Sequence, residues 1–144
     1  MAVVSELSNH AKYMIMKKEI DFDSDTFKMI LMNNTFTFDK DAHATYPLVS
    51  GEELSNGNGY TTGGITLLSG ELTEDDVNDQ GKMVWSHNPT WTGSGGSIGP
   101  AGAAVIYDDT VSDDTVVGCI DFGEDYTATE GLSIQVMSGE VSLS

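Results

Sequence analysis

Ala103-Ala104-Val105-Ile106-Tyr107, then Asp108-Asp109-Thr110-Val111-Ser112-Asp113-Asp114-Thr115, then Val116-Val117-Gly118-Cys119-Ile120-Asp121-Phe122 is the stretch that decides the fold. Its first five residues are apolar on both faces of an extended chain, as in a central strand covered on two sides. The acidic segment reads as a solvated hairpin tip, whose charges keep an edge from sticking to other strands. The third segment returns as the partner strand.

The same period continues on both sides of this hairpin. Leu132, Ile134 and Val136 alternate with Ser133 and Gln135, which predicts a final strand with one solvated face. Upstream, Phe27, Met29 and Leu31 share one face and Lys28, Ile30 and Met32 the other. Residues 33–46 read as a long polar excursion containing His43. Asn56-Gly57-Asn58-Gly59 is a strong turn signal, because these residues tolerate positive φ at little cost. A strand over 60–68, broken by Gly63-Gly64, and a short strand over 82–85 follow. Gly93-Ser94-Gly95-Gly96-Ser97 reads as a flexible loop. One segment has helical spacing. Over residues 5–19, Ser5 is placed to cap, Glu6 suits the first turn, and Leu7, Ala11, Met14, Ile15 and the stem of Lys18 share a face. These readings give one domain over residues 1–144, mainly β. It is an antiparallel β-sandwich or jelly roll with one N-terminal helix. At 144 residues with 39% apolar composition the chain can bury a real core.

Charge excludes several function classes. Lys and Arg total 6 against 23 acidic residues, a formal net charge of −17, and all the basic residues are Lys. The guanidinium fork that recognises phosphate and carboxylate is missing. A field this negative repels nucleic acid and anionic lipid, so neither is expected as a partner. The first twenty residues contain no continuous apolar run, so neither a signal peptide nor a membrane span is expected. Cys119 stands alone and fits a small core residue.

No residue pattern carries catalysis or a cofactor. Asp21-x-Asp23-x-Asp25 begins like a calcium loop, but Thr26 stands where Gly is needed and Met32 where the closing carboxylate is needed. Asp108, Asp109, Asp113 and Asp114 have no spacing specific to a metal. His10, His43 and His87 lie far apart, and no Gly-x-Ser-x-Gly elbow supports a triad. The glycine run from Gly93 to Gly99 lacks a phosphate-loop Lys, and Ile98 occupies the slot a third glycine would need. No catalytic, cofactor-binding or metal-ligating residues are assigned, and the protein is expected to be no enzyme. Trp85 and Trp91 suit either a contact surface, for protein or sugar, or the core. The amphipathic first segment holds a basic cluster. Lys12, Ile15, Lys17 and Lys18, together with Trp85 and Trp91, are therefore the candidate protein-interface residues.

Several segments, taken in order, resemble small structural proteins of tailed bacteriophages. They are the opening helix with Asp25-Thr26-Phe27-Lys28-Met29-Ile30-Leu31, Phe38-Asp39-Lys40-Asp41-x-His43, and Gly59-Tyr60-Thr61-Thr62-Gly63-Gly64. Ala104-Val105-Ile106-Tyr107-Asp108-Asp109 and Val117-Gly118-Cys119-Ile120-Asp121-Phe122-Gly123-Glu124 follow. Together they span residues 6 to 136, and Glu71 to Asn88 matches least. The resemblance implies a capsid decoration or cement protein. Such a protein has a β-sandwich or jelly-roll core, forms a small homo-oligomer (dimer or trimer), and is made in the host cytoplasm. It sits on the outer capsid surface of the virion and reinforces joints between major capsid protein subunits. A neck, tail or head-fibre protein, or a carbohydrate-binding β-sandwich module, is the alternative.

Overall fold

The hairpin read from residues 103–122 is the spine of the molecule. In the computed structural model, which describes residues 2–144, its arms are β8 (Ile98–Asp108) and β9 (Val116–Ala128). Around them the chain runs β1 (Ala2–Val3), β2 (Glu6–Leu7), α1 (Asn9–Met16), β3 (Phe27–Asn33), α2 (Tyr46–Val49) and a 3-10 turn at Ser50–Glu52. Strands β4 (Ile65–Thr66), β5 (Gly70–Asp75), β6 (Gln80–Trp85) and β7 (Thr90–Thr92) precede the hairpin. Strands β10 (Ser133–Gln135) and β11 (Gly139–Leu143) follow it. A five-stranded sheet, β2-β9-β8-β3-β4, faces a four-stranded sheet, β1-β11-β6-β5, and β7 with β10 makes a two-stranded ribbon. Pairing is antiparallel throughout these sheets except between β1 and β11. The fold is mainly β, and of the two expected forms the sandwich describes these sheets.

Alternation along β3 fills both sides of the central sheet. Phe27, Met29 and Leu31 join Trp85, Met83 and Val141 between the two sheets, with Ala104, Ile106 and Val117 from the hairpin. Ile30 and Met32 point the other way with Ala103, Val105, Tyr107, Val116 and Cys119. That second face is roofed by Val49, Phe36, Phe38 and Tyr46 from the excursion after β3. Each large apolar side chain buried in these layers contributes about 1.5–3 kcal/mol.

Several expectations need correction. The helix starts at Asn9, not near Ser5, because the backbone of Glu6 and Leu7 pairs with Cys119 and Gly118 of β9. Ser8 is the cap; its Oγ accepts from Ala11 N at 2.9 Å and donates to Val116 O at 2.6 Å. The helix stops at Met16. Lys18 takes φ 65°, and the Glu19 and Lys18 N–H groups bond the carbonyls of Met14 and Ile15, which satisfies the end of the helix. A second short helix, α2, starts around Pro47. Residues 60–68 form a strand only at Ile65–Thr66. Gly63 and Gly64 take φ 94° and 78°, which breaks the extended chain before Ile65, and a Cβ on Gly64 would lie 1.9 Å from Met29 O. Strand β10 is not the last; Ile134 and Val136 are buried but Leu132 is exposed, and β11 follows with its own pairing to β6. The expected strand over 82–85 is one arm of a hairpin whose other arm, β5, was not anticipated. The glycine loop after Trp91 is tethered, because Glu130 Oε2 accepts from Gly95 N at 2.5 Å and Gly96 N at 3.1 Å.

Candidate protein-interaction surface

Helix α1 packs through Ala11 and Met14 and presents Lys12 to solvent, while Lys17 and Lys18, just past its end, are also exposed. Lys17 Nζ lies 5.2 Å from the centre of the Tyr13 ring. Among the described residues the ion pairs join Lys28 to Asp109 (3.7 Å), Lys40 to Glu6 (3.2 Å), Lys82 to Asp75 (3.6 Å) and His10 to Asp113 (2.8 Å). Lys12, Lys17 and Lys18 take part in none of them. All three are exposed cations on a strongly negative molecule.

Ile15, half-buried, turns into a small apolar cleft of about 110 Å³ shared with Phe22, Leu72, Met83, Val141 and Leu143. The cleft joins the helix to the end of the β5–β6–β11 sheet. Ala2, Phe122, Tyr126, Ile134, Val136 and Met137 line a second cleft of about 410 Å³. Exposed apolar side chains include Val77 at the tip of the β5–β6 hairpin, 91% exposed, and Met16 at the end of α1.

The tryptophans do not belong to this surface. Trp85 and Trp91 are each only 2% exposed, so both candidates are corrected to core. Trp85 packs on Phe27 with ring centres 5.3 Å apart, and Trp91 lies 6.3 Å from Tyr60. Both sit on strand faces turned toward the interior, where a ring of this size gains most from burial. Neither offers a sugar-stacking platform.

Two polar clusters went unread in the sequence. Glu53 accepts from Tyr46 Oη, from Tyr60 Oη at 2.7 Å and from Gly63 N at 2.9 Å, while Tyr60 Oη accepts from Leu31 N at 3.1 Å. Burial first, and the Glu53 carboxylate second, raise both tyrosine hydroxyls above their usual range. The cluster holds the roofing excursion to β3. The second cluster corrects the solvated hairpin tip, because Asp108 and Thr115 are fully buried and Val111 is nearly so. Asp108 Oδ1 accepts from Thr110 N at 2.9 Å and Val111 N at 3.3 Å, and its Oδ2 has no partner. Burial, then the neighbouring Asp25 carboxyl, pushes Asp108 up to about 7. Most of these bonds span ten residues or fewer, but what buries each cluster, β3 under Tyr60 and Asp25 beside Asp108, comes from far along the chain, and no local spacing announces either. Cys119 is buried as expected, and burial pushes its thiol up to about 12, so it has little thiolate at neutral pH.

Among the described residues, no three His, Cys, Asp or Glu side chains are grouped to hold a metal ion. Comparison with known protein families, with curated proteins and with solved structures finds no match to this chain.

Proposed function

We propose that this chain acts by binding and not by catalysis, as a capsid decoration protein on the outside of a tailed-phage head. The ordered resemblance from residue 6 to residue 136 carries the reading. The resembling segments are parts of one scaffold. Residues 25–31 enter β3, 38–43 lie in the roofing excursion, 59–64 lead to β4, and 104–109 and 117–124 form the central hairpin. Residues 71–88, which match least, are the β5–β6 hairpin and its exit. A shared sandwich with a hairpin of its own suits a protein that uses one scaffold and a particular contact.

The surface supports the same reading. A net charge of −17 keeps copies apart in solution and away from nucleic acid, while many weak, repeated contacts hold such a part on a lattice of major capsid protein subunits. The exposed Lys12, Lys17 and Lys18, on and just after α1, are cations available for a contact with the capsid or, once docked, with another copy in a dimer or trimer. With Trp85 and Trp91 buried, the carbohydrate-binding alternative loses its stacking surface.

The test is the copy number of the chain relative to the major coat protein in purified particles, by quantitative mass spectrometry. A ratio near that of the coat protein is expected. A small ring-like count would move the chain to the neck or tail, and its absence from particles would overturn the virion reading.

A further inference from the structure

The β5–β6 hairpin supplies the outermost strand of its sheet, and among the described residues nothing pairs with the far side of β5. One bond sets the phase of its ladder. Ser86 N donates to Ser69 O at 3.1 Å, and the register from Gly70↔Trp85 to Asp75↔Gln80 is unbroken. Antiparallel pairs alternate between exchanging both hydrogen bonds and exchanging none. Glu71, Thr73 and Asp75 therefore bond to β6, and Gly70, Leu72 and Glu74 turn N–H and C=O to the open edge. All of these but Asp75 are solvent-exposed.

The two faces of this edge differ in chemistry. Leu72 shares a face with Met83 and Val141 and lies at the apolar cleft with Ile15 and Phe22. Glu71 and Asp75 lie on the opposite face, where Lys82 of β6 pairs with Asp75 at 3.6 Å and leaves Glu71 without a cation among the described residues, and Asp76 continues the charge into the turn. A second copy paired on this edge would set a row of carboxylates against its own counterpart, and like charges in cross-strand pairs destabilise. Acidic guarding of this kind prevents self-pairing but leaves the edge open to a strand of opposite charge.

We propose that the open edge of β5 takes up an extended segment of a partner protein by strand addition, and that this segment alternates apolar residues with Lys or Arg. Its backbone bonds Gly70, Leu72 and Glu74. Its apolar side chains settle beside Leu72 at the cleft, and its cations meet Glu71, since Lys82, Asn78 and Gln80 already hold the Asp75 carboxylate. The inference deepens the decoration reading and rests on it only for the capsid as the source of the segment.

The experiment titrates isotope-labelled protein with a short capped peptide alternating Lys and Val. The same peptide with alternate backbone nitrogens methylated serves as a control of equal charge. Expected are amide shifts concentrated in residues 70–75, slowed exchange of the Gly70, Leu72 and Glu74 amides, and binding of the methylated peptide weaker by at least about tenfold. Leu72→Pro, which removes an outward N–H and no ladder bond, is expected to weaken binding as much while the thermal melt persists. Equal binding of both peptides, with shifts scattered over the acidic surface, would overturn the proposal. Failure of the titration for a chain that is abundant in particles sinks the edge alone. A positive titration for a chain absent from particles sinks the decoration reading alone.

Discussion

Asp108 ends β8 with a fully buried carboxyl whose Oδ2 has no partner and whose neighbour is a second carboxyl, Asp25. The folded chain holds this proton up to about pH 7, whereas an unfolded Asp releases it near 4. The folded state therefore binds more protons across that window, and this site makes stability fall as pH rises through it. Asp21 and Asp75 do not mask the effect. Hydrogen bonds from Ser24 and Asn78 lead in lowering them, so their contribution is lost below the usual carboxylate range. Asp108→Asn keeps the acceptor for Thr110 and Val111 and removes the ionisation. Urea unfolding from pH 4.5 to 8 should show the variant gaining on the parent as pH rises, by on the order of 1–3 kcal/mol at the alkaline end. Parallel profiles would show that Asp108 does not titrate in this window. Glu53 gives the converse case. Glu53→Ala leaves Tyr46, Tyr60 and Gly63 with unanswered donors, and a loss of about 2–3 kcal/mol is expected in the same assay. Glu53→Gln should lose less, because one acceptor oxygen remains. None of this was legible locally. Asp108 looks like its solvated neighbours until Thr115, Val111 and Asp25 are folded around it.

The glycine loop after β7 shows how an element can read as slack and be held. Glu130 closes over Gly95 and Gly96, Gly131 N bonds Gly93 O, and Ser94 N bonds Asn58 O. Glu130→Ala should speed hydrogen exchange of the Gly95 and Gly96 amides by about tenfold or more, with a global stability change under about 1 kcal/mol. Unchanged exchange would mean that the backbone bonds suffice. Strand β3 and the parts of the hairpin over 103–108 and 116–120 were legible because both of their faces are buried, whereas the far half of β9, largely exposed, and the start of β8 were not. The α1 boundaries were misread because a helix pattern and a two-residue edge strand share residues 5–8, and pairing with β9 decides between them. Strand β5 carries one apolar side chain among acidic ones, so only its register with β6 marks it as a strand.

At the scale of the whole molecule, charge and layering dominate. A formal charge of −17 on a chain of 144 residues repels itself, and salt screens that repulsion over a Debye length of about 10 Å at 0.1 M. Raising sodium chloride from about 0.02 M to about 0.5 M should therefore raise the melting temperature by several degrees. A flat or falling response would show that the few ion pairs, which salt weakens, outweigh the net field. The layering has a mechanical consequence. The excursion after β3 is a third layer, since Phe36, Phe38, Tyr46 and Val49 cover a face that would otherwise expose Ile30, Met32 and Val105.

Composition and period by themselves determined that this chain is acidic and mainly β, with a central strand over 103–107 covered on two sides and a partner strand after it, because alternation and apolar runs are local records of which faces leave water. Only the tertiary structure decided which tryptophans are core, where the helix begins, which carboxylate is buried and which strand keeps an open edge. Each of those depends on partners far away in the chain, and the free energy of burying or pairing a group is set by what lies across from it.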